Sequence, residues 1–291
     1  MNARRMGAAG ASAVIALGLA ACGSGSSDGG ATGDASGSAA PSAEAATGKK
    51  IKIGTKFDQP GLGLKEGTKM SGFDIDVATY VAKELGSNAA DIEWVQAVSA
   101  QRETLISTGQ VDMIVATYSI TDKRKEQVGF AGPYFIAGQD LLVRADETAI
   151  TGPETLEGKN LCSVKGSTPA QKIKDKYPGV NLLEQGTYSE CVAALVSKGV
   201  DALTTDDTIL AGFAAQAQYK GKLKVVGKTF STENYGIGIK KDDKDMCTKV
   251  VAAINKMIKD GAWEKAVEAN FGPAGYKPGP GNPPTPAEAC N

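Results

Sequence analysis

Histidine is absent from this chain of 291 residues. That removes His-based triads, imidazole general bases and His metal ligands. An excess of charge of one sign is missing too. The formal net charge is −1, so no basic face points to nucleic acid. No C-x-x-C spacing supports a metal site built from the cysteines. No apolar run is long enough for a retained membrane-spanning helix. Neither a metal nor a cofactor is expected, and so few acid, base or nucleophile candidates remain that an enzyme is not the first reading.

What is present begins with an address. Arg4 and Arg5 lie in a short positive start, and residues 6–20 are apolar or small. Leu19-Ala20-Ala21-Cys22 follows. This resembles the bacterial lipoprotein signal, in which cleavage precedes a cysteine whose thiol carries lipid; a plain secretory signal needs no cysteine there. Residues 1–21 are expected to be the signal, with lipid on Cys22. Residues 22–48 are Gly, Ser and Ala with almost no large apolar side chain, and are expected to be a tether. Removing Cys22 leaves Cys162, Cys191, Cys247 and Cys290. An even number in an exported chain suggests disulfides. Four cysteines allow three pairings, of which locality favours Cys162–Cys191 and Cys247–Cys290.

The head alternates strand and helix signals, which predicts α/β lobes with mainly parallel sheets. Residues 51–55 read as a strand and 56–70 as a loop rich in Gly and Pro. A helix opens near Phe73 with Asp74 as its cap, and Asp74 and Asp76 read as helix-start residues. Residues 92–95 read as a strand, Ser99 as the cap of a helix ending at Gly109, and 111–115 as a buried strand. Residues 141–144 and 159–164 are further strands. Thr168 reads as a helix cap with Pro169 at the first helical position. Thr187 to Glu190 has the capping-box pattern. A strand near 235–240 and helices over 244–258 and 262–271 close the head.

Two segments repeat one plan. Leu105 to Thr117 and Leu195 to Thr205 both run helix, Gly, Val-Asp, strand, Thr. In open α/β sheets, ligands bind beyond the carboxyl ends of the strands. Thr117 and Asp206 are therefore expected at equivalent mouths of two lobes that face one cleft.

Gly72-Phe73-Asp74-Ile75-Asp76-Val77-Ala78, Ala116 to Arg124, Val128 to Tyr134 and Asp201 to Asp207 together resemble the polar amino-acid solute-binding proteins of ABC importers. The stretch Thr204 to Gly212 is most similar to glutamate-binding lipoproteins of actinobacteria. The resemblance covers roughly residues 50–275 and implies the periplasmic-binding-protein type II fold: two α/β lobes joined by two hinge strands, with ligand in the interlobe cleft. Crossovers are expected near Arg144 and Ser231, giving lobe 1 as 49–143 and 236–291 and lobe 2 as 144–235. The resemblance also implies a membrane permease and, through it, a cytoplasmic ATPase as partners. A monomer on the outer face of the cell membrane is expected.

The same resemblance assigns roles. Arg124 matches the arginine that clamps the ligand α-carboxylate, for which a planar fork is suited; alone, an Arg in a Lys-Arg-Lys run is more often solvated. Thr117 and Ser119 match positions that offer a carbonyl and a hydroxyl, and Thr168 one that meets the same carboxylate, with Lys165 a weaker candidate. Asp206 matches the acceptor of the α-ammonium, leaving Asp207 as a helix cap. Lys56 and Arg102 match bases of acidic-amino-acid binders. Arg124, Lys56 and Arg102 against Asp206 would balance glutamate, with aspartate as its near alternative, whereas glutamine would leave surplus charge desolvated. The rival functions are a glutamine or other polar amino-acid binder, a sensor module, and a small-molecule dehydratase on the same fold.

Overall fold

The computed structural model describes residues 48–286 and Cys290. The expected signal, Cys22 and all but the last residue of the expected tether lie outside them. In chain order the elements are β1 (Ile51–Thr55), β2 (Asp58–Gln59), β3 (Gly63–Glu66), β4 (Lys69–Ser71), α1 (Phe73–Glu84), β5 (Ile92–Gln96), α2 (Arg102–Ser107), β6 (Met113–Ile114) and α3 (Asp122–Lys125). Next come β7 (Gly129–Ala137), β8 (Gln139–Arg144), β9 (Asn160–Val164), α4 (Thr168–Lys176), β10 (Asn181–Gln185), α5 (Tyr188–Val196), β11 (Ala202–Asp206) and α6 (Asp207–Ala215). Last are β12 (Leu223–Val225), β13 (Glu233–Ile239), α7 (Lys244–Lys259) and α8 (Ala262–Phe271).

The strands form two sheets of one design. The first has the order β5-β1-β6-β13-β7 and the second β10-β9-β11-β8-β12. In each, the first three strands pair parallel, the fourth (β13 or β8) runs against them, and the fifth pairs antiparallel with the fourth. β6 and β11 hold the same third place, which is the equivalence the repeated helix, Gly, Val-Asp, strand segments predict.

Sheet membership moves one crossover. β7 belongs to the first sheet and β8 to the second, so the chain passes between lobes at Gly138, not near Arg144. Residues 139–143, expected with lobe 1, pair with β11 and β12 of lobe 2. Gly138-Gln139-Asp140 interrupts the segment 129–144 at the change, but both polar side chains are buried, so the break does not mark a surface loop. The return crossover lies between β12 and β13, and residues 233–235, expected with lobe 2, pair with β7 of the first sheet.

The segment expected as a loop over 56–70 contains a small antiparallel sheet of β2, β3 and β4. Its short strands with Gly at the turns leave little periodicity to read. The first helix is preceded by Gly72 at its N-cap, and Asp74 lies inside the first turn with its side chain buried. Ser167, not Thr168, caps α4, its Oγ accepting from Ala170 N at 3.1 Å. Ser99 opens a short 3-10 turn ahead of α2 and makes no cap bond. The capping box at Thr187 and Glu190 forms as expected.

Lobe 1 packs around Phe73, whose ring meets Phe135, Trp263 and Phe271 at centroid distances of 5.4, 5.8 and 5.2 Å. Tilted and edge-on ring pairs of this kind add to the gain from burial. Cys162 is bonded to Cys191, joining β9 to α5, and Cys247 to Cys290, joining α7 to the C-terminal segment. Each bridge lies within one lobe.

Candidate functional site

The carboxyl ends of β6 and β11 face each other across a narrow, nearly closed void with a cavity volume of about 10 Å³. Arg102, Thr117 and Arg124 line it from lobe 1, and Thr168, Tyr188 and Asp206 from lobe 2. The walls touch in places. Ser119 Oγ and Thr168 Oγ1 share a 3.1 Å hydrogen bond between the lobes. A Cβ added to Gly166 of lobe 2 would stand 2.8 Å from Ala100 Cα of lobe 1, so only glycine admits this approach.

Arg124 is buried, in contrast to the solvated residue its Lys-Arg-Lys context suggests. Its Nη1 donates to Ser119 O at 2.7 Å and its Nη2 to Gly166 O of the other lobe at 3.2 Å. Nε lies 3.2 Å from Glu103 Oε1. Guanidinium carries five N–H donors, so two, one on each Nη, remain for a ligand. Tyr118 supports the cation: Arg124 and Arg102 lie 4.8 and 5.0 Å from its ring centre.

Thr117 has φ 46, a left-handed conformation that β-branched residues rarely adopt. The buried Asp74 holds it, with Oδ2 accepting from Thr117 N at 2.9 Å and Oδ1 from Tyr134 OH at 2.7 Å. Asp74 is thus a scaffold of the site rather than a helix cap. Burial raises its carboxyl from 3.8 to about 6. A raised folded value means that the stability this group contributes is present below pH 3.8 and lost as pH rises through about 6. Asp74→Asn can still accept from Thr117 N while its amide donates to Tyr134 Oη. The variant is expected to fold and to hold its thermal midpoint better than wild type across that window. Parallel midpoints from about pH 4 to about pH 7 would refute the assignment.

Asp206 Oδ2 accepts from Tyr235 OH at 2.6 Å, while Oδ1 has no partner among the described residues. Burial, followed by the nearby Glu233 carboxylate, raises its pKa well above the ordinary value. A cation facing Oδ1 would relieve that cost. Asp207 is not the helix cap expected of it. Its N–H donates to Gly138 O at 2.8 Å and its Oδ1 accepts from Gly138 N at 3.2 Å, so it grips the crossover residue from both sides.

Lys56 follows β1 and is fully buried. Its Nζ lies 3.4 Å from Asp58 Oδ1, longer than a charge-assisted hydrogen bond, and 5.5 Å from the centre of the Tyr188 ring. Burial lowers its pKa, with Asp58 opposing that shift. Arg102 is buried beside it and donates from Nε to Ala97 O at 3.3 Å. Arg102, Thr117, Arg124, Thr168 and Asp206 therefore meet at one void, Ser119 forms its wall, and Lys56 lies behind Tyr188. Lys165 stays exposed.

Three acidic residues near the void had no sequence signal. Asp58 faces Lys56, Glu103 faces Arg124, and the buried Glu233 pairs with Lys172 and accepts from Thr168 Oγ1 at 3.2 Å. The surplus of positive charge counted from the sequence is thereby cancelled, leaving Arg102 and Asp206 without an ion-pair partner in that set. Discrimination between ligands must come from which donors are left open, not from net charge.

Two lobes with matching sheets, two crossovers and a polar void between them define a two-lobed binding protein. A profile of the bacterial extracellular solute-binding proteins, family 3, matches residues 51–273, and the chain belongs to that family. Glutamate-binding protein GluB of Corynebacterium glutamicum is 51% identical over 233 residues, covering 76% of this chain and 78% of that one. ABC transporter glutamine-binding protein GlnH of Bacillus subtilis is 36% identical over 249 residues, covering 85% and 89%. The solved structure of an ancestral arginine-binding protein bound to glutamine is similar with a TM-score of 0.72 and 34% identity, covering 77% of this chain and 98% of that one.

Proposed function

We propose that the protein captures an acidic amino acid, glutamate first and aspartate second, and delivers it to the permease of an ABC importer driven by a cytoplasmic ATPase. The observation that carries this reading is the division of one void between lobes: the guanidinium of Arg124 on one side, the open Oδ1 of Asp206 on the other. An amino-acid zwitterion satisfies both, its carboxylate on Arg124 and Thr168 and its ammonium on Asp206. Ser119 and Thr117 supply the remaining polar contacts. Lys56 and Arg102 receive the side-chain carboxylate. A buried ammonium whose donors are not filled by protein favours a carboxylate over an amide. The identity to a glutamate-binding relative exceeds that to a glutamine-binding one.

Glutamine binding is the second reading, supported by the glutamine-binding relative and by the near-balance of charge around the void. Calorimetric titration of the purified protein with glutamate, aspartate and glutamine separates the two. Glutamate should give saturable heat at lower concentration than glutamine. No heat with glutamate at about 1 mM would sink the proposal.

The head acts as a monomer tethered to the outer face of the membrane through lipid on Cys22. Cys22→Ser should move the protein from the detergent phase to the aqueous phase in a detergent partition. Equal partition of variant and wild type would remove the anchor from the reading.

A further inference from the structure

We propose that Asp58 is the latch that holds the two lobes together. A helix start leaves its first four N–H groups without intrahelical partners. In α5, a helix of nine residues in lobe 2, the capping box satisfies two of them: Glu190 N donates to Thr187 Oγ1, and Thr187 N to Glu190 Oε2. The N–H groups of Tyr188 and Ser189 are left over. Both donate to Asp58 Oδ2, at 3.1 and 3.3 Å, and Ser189 Oγ adds a contact at 3.4 Å.

Asp58 belongs to β2 in lobe 1, so a carboxylate of one lobe completes the cap of a helix in the other. The bond exists only when the lobes meet. An anion at a helix N-terminus also gains from the aligned peptide dipoles. The same hairpin is seated against a second lobe 2 helix. A Cβ added to Gly212 of α6 would lie 2.1 Å from Pro60 O, so α6 and the residue after β2 touch backbone to backbone. Asp58 Oδ1 meanwhile faces Lys56 at 3.4 Å. One carboxylate thus joins the outer rim of the cleft to the side-chain end of the proposed ligand site.

The latch rests on the proposed function only for the choice of glutamate as the trigger. The test uses the full chain purified in detergent, with single-amide hydrogen exchange read by mass spectrometry and dissociation followed by stopped flow. Asp58→Ala should speed glutamate release about tenfold with little change in association. It should also raise exchange at Tyr188 and Ser189 in the ligand-saturated protein, but not at Glu190, whose acceptor lies in its own lobe. Asp58→Asn keeps an acceptor oxygen and should fall between wild type and Asp58→Ala on both readouts. Unchanged release together with unchanged exchange at Tyr188 and Ser189 would overturn the latch. A wild-type protein that binds no glutamate would overturn the functional reading instead. In that case the exchange of these two amides in the unliganded protein, compared with Asp58→Ala, still decides the latch.

Discussion

Arg124→Ala is expected to weaken glutamate binding by about 3–5 kcal/mol, a loss of roughly a hundredfold to several thousandfold in affinity. Truncation leaves the ligand carboxylate in a void with no fork to receive it, and an unpaired buried charge is costly. The loss has a second part. Arg124 Nη2 donates to Gly166 O, and Gly166 is where the lobe 2 backbone comes within van der Waals distance of Ala100 in lobe 1. On the proposed reading the same side chain would hold ligand and also bond across the cleft. Glu103 would also lose its 3.2 Å ionic partner and be left partly buried. Arg124→Lys keeps the charge but not the paired donors, and should recover only part of the affinity. Calorimetry on both variants checks this, and a loss under tenfold in Arg124→Ala would remove Arg124 from the carboxylate clamp.

The parts of this site that the sequence made legible are those fixed by local pattern. Gly followed within two residues by Val-Asp, ahead of a short apolar run, marks β6 and β11, and their matching places in the two sheets follow. The capping box at Thr187 is readable because its two partners lie three residues apart. The residues that were misread are those whose partners are distant in the chain. Asp74 looks like a helix cap until Thr117 N and Tyr134 OH arrive from elsewhere. Asp207 looks like a cap until the crossover at Gly138 is placed against it. Glu233 carries no sequence signal at all, yet it is buried between Thr168, Ser231 and Lys172. Each of these carboxylates accepts from groups that no spacing rule connects to it. The crossover at Gly138 is hidden for a related reason: the strands β7 and β8 are separated by one residue, and only pairing tells which sheet each joins.

Electrostatic specificity is where those distant partners matter most. Lys56→Ala is expected to cost glutamate about 3 kcal/mol, near a hundredfold in affinity, while changing glutamine by less than about threefold. Net charge does not produce that difference, because Asp58, Glu103 and Glu233 already offset the cations around the void. The difference comes from valence at one atom. Lys56 Nζ has three N–H donors, and the carboxylate facing it at 3.4 Å spends its other oxygen on the Tyr188 and Ser189 amides. A ligand carboxylate fills these donors as an acceptor on both oxygens, whereas an amide turns one end into a competing donor. Burial also lowers the Lys56 pKa below 10.5. If Lys56 receives the ligand carboxylate as proposed, binding needs the protonated amine, so affinity should fall as pH rises through that lowered value, and the fall should vanish in Lys56→Ala. Titrations of glutamate and glutamine on both proteins across neutral to alkaline pH measure the two effects together. Equal weakening of both ligands, or the same pH profile in the variant, would move side-chain recognition from Lys56 to Arg102.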